Sequence, residues 1–456
     1  MKGQSYCVSS RPYCVSRQPY CIYQHPYFIV LSKQPSVALL RDFIEQLIFA
    51  PFSEAYNQKF LDFFEREDKT GESDKLDESE ALSKRGISSI ELKKGRSGEI
   101  IIFLYFCNMQ SLPTLYPLLF EPNLHEAVWG GHYLTNWKQL PHIETPIGES
   151  WEVSGIPNCS SIVANGPLAG KTLNEVIATY KGQVLGEAVY KHYDGQMPLL
   201  IKFIDAQEDL SIQVHPDDKM AKAVHGKMGK NEMWYVIKTE PGACIYSGFA
   251  QEITPYELRQ RIADGSLAEV IARHEAQPGD VFFIPAGRIH AIGKGILLAE
   301  VQQSSDLTYR IFDYNRLGMD GEPRELHVDL AQQALNYKVD SQYRTRYEEK
   351  NNSATLVIDS KFFNVRVVNF DAPIHRNLIK YDSFFVTMAI QGDSYIRLRS
   401  TGEQILLREG FTCLLPAAVA DCDIIPAKSG VSNKILDAFI NNEYNPIKTF
   451  FKQIVK

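Results

Sequence analysis

Three absences in the 456-residue sequence narrow the classes of protein to which it can belong. No two cysteines have the CxxC spacing of a structural zinc site, and eight cysteines in a chain of this length are too few for a disulfide scaffold. The longest early apolar run, "IIIFLYFC" at Ile100–Cys107, is far below the ~20 residues that cross a bilayer. We therefore expect reduced thiols and a cytoplasmic protein that has no membrane partner.

The chain also lacks an excess of positive charge, since 48 Lys and Arg stand against 55 Asp and Glu and the formal net charge is −7 at pH 7. A nucleic-acid-binding protein usually carries a basic surface, so we expect no nucleic-acid partner and only a local site for a small anion. Hydrophobic residues make up 44% of the chain and aromatic residues 11%, which is ordinary for a globular protein of about two or three domains.

The first 108 residues differ from the rest of the chain. Three units, "YCVSSRP", "YCVSRQP" and "YCIYQHP", repeat without an apolar face, and the proline in each unit forbids a helix. The later stretch "SVALLRDFIEQLIFA" does follow a helical period and is a candidate docking helix. We expect residues 1–108 to be a poorly structured extension and the functional unit to start at Met109.

Beyond Met109, short segments rich in β-branched and aromatic residues predict a mainly β fold with a few short inserted helices. "LLIKFID", "EMWYVI" and "ILLAEVQ" are typical strands. The helices have capping signals: Thr254 is followed by Pro255 and Glu257, and Ser266 is followed three residues later by Glu269. We therefore predict two short helices between the strands.

The stretch "DLSIQVHPDD" carries a polar row on a strand. Ser211, Gln213 and His215 are two residues apart, so their side chains point to one face, and Pro216 ends the strand. An edge strand with a solvated face explains such a row equally well unless polar partners occur elsewhere in the chain.

One partner lies in "GDVFFIPAGRIHAIG", a strand and turn that lead to His290. The spacing Gly-x5-Pro-x-Gly-x2-His resembles the second metal-binding motif of the cupin superfamily, whose small β-barrels hold a metal between inward-facing side chains. The first motif of that superfamily is similar to Gln213-x-His215 followed by Glu232. Two imidazoles, one carboxylate and one amide oxygen suit a single divalent ion, so we predict that the polar row faces a barrel lumen.

A weaker copy of the second motif occurs near the C-terminus. In "GFTCLLPAAVADCDI", Gly410 and Pro416 match Gly279 and Pro285, and Asp421 stands where the spacing requires His290. We predict two jelly-roll barrels, a catalytic cupin domain at 109–324 and a degenerate, metal-free domain at 325–456.

Six segments together resemble type I mannose-6-phosphate isomerase, a zinc-dependent family of the cupin superfamily, in its short bacterial form. They are "FEPNLHEAVWGG", "GESWEVS", "LLIKFIDAQEDLSIQVHPDD", "GKNEMWY", "IPAGRIHAIG" and "EVQQSSDLTYRIFDYNR". Their order and spacing match the family from about Met109 onward. The resemblance implies an aldose–ketose isomerase that interconverts mannose 6-phosphate and fructose 6-phosphate.

The resemblance also implies roles for individual residues. The family's zinc ligands fall on Gln213, His215, Glu232 and His290, which implies one Zn²⁺ per chain. Its catalytic arginine falls on Arg310, its phosphate-binding serine and lysine on Ser211 and Lys202, and a further active-site lysine on Lys230. From their own context, Lys202 and Arg310 fit ordinary ion pairs equally well.

The implied reaction moves a carbonyl group through an ene-diol, whose developing negative oxygen needs a metal ion or a fixed cation. Glu300, inside the apolar strand "ILLAEVQ", and Lys230 are candidates for the general base, and Glu300 is alternatively a residue that orients a metal ligand.

Two other functions stay open at this point. His215, Glu232 and His290 alone would satisfy the two-histidine, one-carboxylate site of a non-haem iron oxygenase. A non-catalytic, sugar-binding cupin would bind a ligand without turnover. The sequence does not indicate the oligomeric state.

Overall fold

The computed structural model describes residues 112–419 and 421–441, together with five strand segments nearer the N-terminus. The chain divides into two compact units, Met1–Leu112 and Pro113–Lys456. Among the described residues, no helix is long and apolar enough to cross a membrane.

The N-terminal unit contains one antiparallel sheet of five strands in the order β1-β2-β5-β4-β3. These strands are Tyr6–Val8 (β1), Tyr27–Leu31 (β2), Ser73–Asp77 (β3), Ile87–Lys94 (β4) and Ile100–Phe106 (β5). The second and third units of the cysteine repeat and the helix-like stretch at 36–50 lie outside the described residues. For the part of 1–108 not covered by strands, the poorly structured extension stays a prediction.

The larger unit begins with Leu118–Leu119 (β6), which belongs to the second barrel, and continues with the strands that build the first barrel. These are Leu124–Gly131 (β7), Ile147–Val153 (β8), Leu199–Ala206 (β9), Ile212–Val214 (β10), Glu232–Thr239 (β11), Cys244–Phe249 (β12), Ile271–Glu275 (β13), Val281–Ile284 (β14), His290–Ile292 (β15), Ile296–Gln303 (β16), Tyr309–Phe312 (β17) and Arg344–Thr345 (β18). A sheet β13-β12-β15-β10-β17 faces a sheet β18-β14-β11-β16-β9-β8-β7.

The second barrel uses the remaining strands. They are Ser353–Asp359 (β19), Asn364–Phe370 (β20), Ile374–Asn377 (β21), Phe385–Gln391 (β22), Ser394–Leu398 (β23), Gln404–Leu407 (β24), Thr412–Leu415 (β25), Asp421–Pro426 (β26) and Asn433–Phe439 (β27). Its sheets have the orders β19-β20-β27-β22-β25-β6 and β21-β26-β23-β24. The mainly β fold with two jelly-roll barrels is therefore as predicted.

Short helices connect the strands. They are Tyr133–Trp137 (α1), Leu173–Tyr180 (α2), Gly182–Leu185 (α3), Glu187–His192 (α4), Asp218–His225 (α5), Pro255–Asp264 (α6) and Val328–Ala334 (α7), with 3₁₀ turns at Gly166–Leu168, Leu267–Val270, Ile379–Tyr381 and Ala417–Val419. The predicted box at the start of α6 is present, since Thr254 and Glu257 cap each other's backbone N–H. Ser266 has a non-extended backbone (φ −92°, ψ 10°), makes no capping bond and opens only a 3₁₀ turn.

The two barrels pack face to face. Strands β9 and β16 are buried along their whole length, because one face lines the first lumen and the other faces the second barrel. A single apolar cluster joins the two, with Phe203 and Val301 on one side and Val367 and Leu436 on the other.

Each barrel also takes a strand from beyond the predicted boundary at residue 325. Strand β6, near the start of the unit, pairs with β25 of the second barrel, and β18 pairs with β14 of the first. The division at 325 stays a proposal, and both barrels need residues from each side of it.

Candidate metal centre and active site

Strand pairing brings the predicted metal ligands into the lumen of the first barrel. Gln213 on β10 lies directly opposite His290 on β15, and on its other side opposite Arg310 on β17. Residues directly opposite each other share a face of the sheet. The polar row of "SIQVH" therefore points into the lumen rather than to solvent.

Three of the four predicted ligands meet at one point. Ligand atoms of His215, Glu232 and His290 all lie within 4.8 Å of one another, and all three residues are buried. The Nε2 atom of His215 lies 3.2 Å from Oε2 of Glu232, and that of His290 lies 3.4 Å from Oε1. No other such cluster of histidine, cysteine and acidic residues occurs in the part of the chain that the structure describes.

Backbone carbonyls fix the orientation of both imidazoles. Nδ1 of His215 lies 2.8 Å from the carbonyl oxygen of Leu307, and Nδ1 of His290 lies 2.8 Å from that of Arg288. Because a carbonyl oxygen can only accept, each Nδ1 carries the proton and each Nε2 presents a lone pair toward Glu232. This is the tautomer that a metal-binding histidine requires.

Burial sets the charge of the cluster. It lowers the pKa of His215, helped by the Lys230 ammonium, and lowers the pKa of His290 to about 3. Burial acts to raise the pKa of Glu232, but Lys230 and the two histidines outweigh it and hold that pKa well below its ordinary value. The cluster therefore combines two neutral imidazoles with one carboxylate near neutral pH.

A divalent cation fits this cluster. Oε1 of Glu232 and Nε2 of His290 are buried, and neither makes a hydrogen bond to a described residue. A buried polar atom without a partner lowers the stability of the fold. A cation would bind the lone pairs of both atoms at once. Gln213 faces the same lumen but is partly exposed, and its role as a fourth ligand stays a prediction.

Lys230 lies beside the same carboxylate. Its Nζ atom is 2.8 Å from Oε2 of Glu232 and 3.2 Å from Nε2 of His215. The turn before β11 holds it there, since the Lys230 backbone N–H donates to the carbonyl of Pro216 and the Gly229 N–H donates to Asp218. The structure thus places Lys230 beside the cluster of His215, Glu232 and His290, and its role in the active site stays a prediction.

A second polar layer crosses the seven-stranded sheet next to the metal cluster. Trp234 donates from Nε1 to Oε2 of Glu300 at 2.8 Å and meets the ring of His290 edge-on at 5.4 Å. Lys202 Nζ lies 3.5 Å from Oε1 of Glu300 and 3.0 Å from Oε2 of Glu149. Glu300 and Lys202 are therefore neighbours in the lumen, as their cross-strand register requires.

Sequence reasoning missed the outer part of this layer. Glu149 accepts a hydrogen bond from Nε1 of Trp151 at 2.6 Å, and the ring of His125 stacks on Trp151 at 4.1 Å. The alternation in "GESWEVS" indicates that Glu149 and Trp151 share a face, but only the fold shows that this face is the lumen.

The remaining two predicted residues are less closely tied to the cluster. Arg310 is partly buried, and its Nε atom is buried without a hydrogen-bond partner among the described residues. Ser211 is buried just before β10. Within the described part of the chain, no hydrogen bond joins the Ser211 hydroxyl to Lys202, which pairs with Glu149 and Glu300.

A two-histidine, one-carboxylate cluster inside a jelly-roll barrel defines a metal-binding cupin. The family model for "Phosphomannose isomerase type I, catalytic domain" matches residues 118–241. Two Bacillus subtilis proteins are similar to the chain: "Probable mannose-6-phosphate isomerase GmuF", 34% identical over 66% of this chain and 94% of the relative, and "Mannose-6-phosphate isomerase ManA", 33% identical over 68% and 98%.

The crystal structure of the Bacillus subtilis mannose 6-phosphate isomerase superposes with a TM-score of 0.63 at 31% identity, over 71% of this chain and 99% of that one. A solved phosphomannose isomerase from Salmonella typhimurium shares the fold at 14% identity, with a TM-score of 0.58. The chain belongs to the type I phosphomannose isomerase family.

Proposed function

We propose that the chain interconverts mannose 6-phosphate and fructose 6-phosphate. The observation that carries this proposal is the buried cluster of His215, Glu232 and His290, which lies in the barrel of a chain that belongs to an isomerase family. The acidic net charge fits a small-molecule substrate rather than nucleic acid. The cytoplasmic location stays a prediction.

The metal we propose is one Zn²⁺ per chain, held by His215, Glu232 and His290 with Gln213 as a fourth ligand. Neutral imidazoles, a carboxylate and an amide oxygen suit this borderline ion, and isomerisation needs no change of redox state. When bound, the ion supplies a positive charge that polarises the sugar oxygens at C1 and C2.

The phosphate would bind at Lys202 and Ser211. Lys202 lies two strands from Glu232 across the sheet order β11-β16-β9 and two residues farther along, which is ~12 Å at the usual strand spacing and rise. A hexose phosphate lying along this row would place its phosphate by Lys202 and its C1 and C2 atoms by the metal ligands. Binding energy at the phosphate end would then align the reacting carbons.

Three residues would act on protons and charge. Glu300 and Lys230 are the candidates that exchange a proton with the sugar, because both face the lumen beside the metal ligands. Arg310, opposite Gln213, would stabilise the negative oxygen of the ene-diol.

A non-haem iron oxygenase would use the same three metal ligands. The family membership does not favour it, and Lys230 at 2.8 Å from Glu232 adds a cation that an oxygen site does not need. Membership of an isomerase family does not favour a sugar-binding protein without turnover either.

A coupled assay tests the proposal. Mannose 6-phosphate should be converted to fructose 6-phosphate, the activity should vanish after treatment with a chelator, and added Zn²⁺ should restore it. Oxygen uptake with added Fe²⁺, in place of isomerisation, would support the oxygenase instead.

A further inference from the structure

The two barrels share a buried ion pair at the same place in the fold. In the first, Trp234, Glu300 and Lys202 lie side by side on β11, β16 and β9. In the second, the register of β22, β27 and β20 places Thr387, Asp437 and Arg366 in the same arrangement. In both barrels, an acidic residue on one central strand thus lies directly opposite a basic residue on the neighbouring strand. This indicates that the ion pair is a feature of the fold rather than of the metal cluster.

The acid is fully engaged in the second barrel. Oδ1 of Asp437 accepts hydrogen bonds from Arg376 and Thr387, and Oδ2 accepts one from Arg366 at 3.0 Å. The side chain of Asp437 is 0% exposed. Neither oxygen is left over for another partner.

The acid is only half engaged in the first barrel. Oε2 of Glu300 accepts the Trp234 N–H at 2.8 Å, whereas Oε1 lies 3.5 Å from Lys202 and makes no hydrogen bond to a described residue. Glu300 therefore presents one buried oxygen without a donor. Lys202, which has the position of Arg366, lies 3.5 Å from its acid, whereas Arg366 lies 3.0 Å from Asp437.

Glu149 accounts for this difference. Its Oε2 atom lies 3.0 Å from Lys202, closer than Glu300, and the Trp151 N–H holds it in place at 2.6 Å. The register of β19 with β20 puts Ala354 and Leu356 at the matching positions of the second barrel, and neither can attract a cation. At these described positions, only the barrel with the His215–Glu232–His290 cluster has a carboxylate that competes for the cation.

We propose that Glu149 is a positioning residue that draws Lys202 toward β8 and so leaves Oε1 of Glu300 free to exchange a proton with the sugar. This inference rests on the proposed isomerase function. It makes Glu300, rather than Lys230, the residue that exchanges the proton with the sugar.

The charges agree with this arrangement. Burial acts to raise the pKa of Glu149, but Lys202 and the Trp151 N–H outweigh it and hold that pKa below its ordinary value. Burial, reinforced by the negative charge of Glu232, raises the pKa of Glu300. Glu149 is thus the permanent counterion of Lys202, and Glu300 is the acid that can take up or release a proton.

The test is Glu149→Gln, which keeps the shape and a hydrogen-bond acceptor for Trp151 but removes the charge. Lys202 should then close on Glu300, and kcat should fall by about tenfold, part of the ~100-fold or more that a general acid or base contributes. KM should stay the same or fall, because the site loses a negative charge near the phosphate. Glu126→Gln, at an exposed glutamate on the adjacent strand β7, is the matched control and should change nothing.

Metal content and thermal midpoint separate positioning from folding, and both should equal those of the parent chain. A crystal structure of the zinc-loaded variant adds a readout that does not depend on activity: the Lys202–Glu300 distance should shorten from 3.5 Å to a hydrogen bond. If Glu149→Gln folds poorly, Trp151→Phe removes the donor that holds Glu149, keeps an aromatic ring next to His125 and Lys202, and should give the same pattern at smaller size.

An unchanged kcat, a raised KM with kcat retained, or a Lys202 that stays away from Glu300 would each overturn the inference. The parent chain is assayed alongside. If it fails to turn over mannose 6-phosphate, the proposed function is wrong, and the distance measurement still decides the role of Glu149.

Discussion

The central strands of the two barrels follow the same order, β14-β11-β16-β9-β8 in the first and β25-β22-β27-β20-β19 in the second, but the lumens are filled differently. The first lumen is polar near the His215–Glu232–His290 cluster and apolar beyond it, where Ile204, Val236 and Leu298 pack together. The second is lined by apolar side chains around Asp437, which pairs with Arg366 and Arg376. An acid with a base on the next strand, Glu300 with Lys202 or Asp437 with Arg366, is thus common to both barrels, while the cluster is confined to one.

Individual positions show what separates a binding barrel from a structural one. Phe385 on β22 has the position that Glu232 has on β11. Each lies opposite the residue that comes directly before the matching proline, Pro416 or Pro285. Asp421 matches His290 by spacing, but it pairs with His375 and is 38% exposed, so it points out of the barrel. Cys422 faces the lumen instead, opposite Arg376. A shift by one residue along a strand moves a side chain to the other face, which is enough to remove a ligand.

The largest difference between the barrels, in metal content and turnover, should appear when His290 and its match by spacing, Asp421, are mutated. His290→Ala should remove the metal and reduce turnover to background, because a cation with two remaining strong ligands is poorly held. Asp421→Ala should retain metal and activity, since Asp421 lies on the surface. Elemental analysis and the coupled assay check both variants. Metal retained by His290→Ala would mean that the ligand set is misassigned.

The second barrel should respond through stability. Asp437→Asn leaves the buried guanidinium group of Arg376 and the partly buried one of Arg366 without their counterion. It should lower the free energy of unfolding by ~3–5 kcal/mol, with kcat per folded chain unchanged. Asp423→Asn, whose arginine partners are about half exposed, should cost about 1 kcal/mol or less. Urea unfolding measures both. A large loss of kcat in folded Asp437→Asn would show that the second barrel takes part in catalysis.

Arg310 should matter for the rate but not for the metal. Arg310→Ala removes the proposed oxyanion donor, which is typically worth ~3 kcal/mol, so kcat should fall about 100-fold at unchanged zinc content. Arg399→Ala, at an exposed arginine of the second barrel, is the control and should leave kcat unaltered. Normal turnover in Arg310→Ala would remove this residue from the mechanism.

The smallest effect is expected from deleting the N-terminal unit. Every residue with a proposed role lies in the unit Pro113–Lys456, which contains both barrels and their shared core. A chain that begins at Met109 should keep its metal and a kcat/KM within about twofold of the full chain. A large loss in a folded, zinc-loaded form would show that the N-terminal unit supports the active site.

The sequence was sufficient to predict that His215 and His290 come together with Glu232, because the signal of the two histidines is local. His215 follows Gln213 by two residues, and His290 ends a short glycine- and proline-marked turn, so alternation and spacing reveal both. The fold class could be predicted from short β-rich segments for the same reason.

Features that depend on long-range pairing could not be predicted. Lys202, Glu149 and Glu300 come from three strands far apart in sequence, so their ion pairs follow only from the sheet order β16-β9-β8. The match of Asp421 to His290 was correct in spacing, but spacing does not specify which face of β26 the side chain takes.

The most direct test of a single catalytic barrel is a zinc titration of the metal-free protein, with turnover of mannose 6-phosphate measured at each step. Activity should rise in proportion to added zinc and stop rising at one zinc per chain, because the described residues contain one cluster of this kind. Full activity before any metal is added, or a second rise that ends at two zinc ions per chain, would contradict the assignment of function to the first barrel alone.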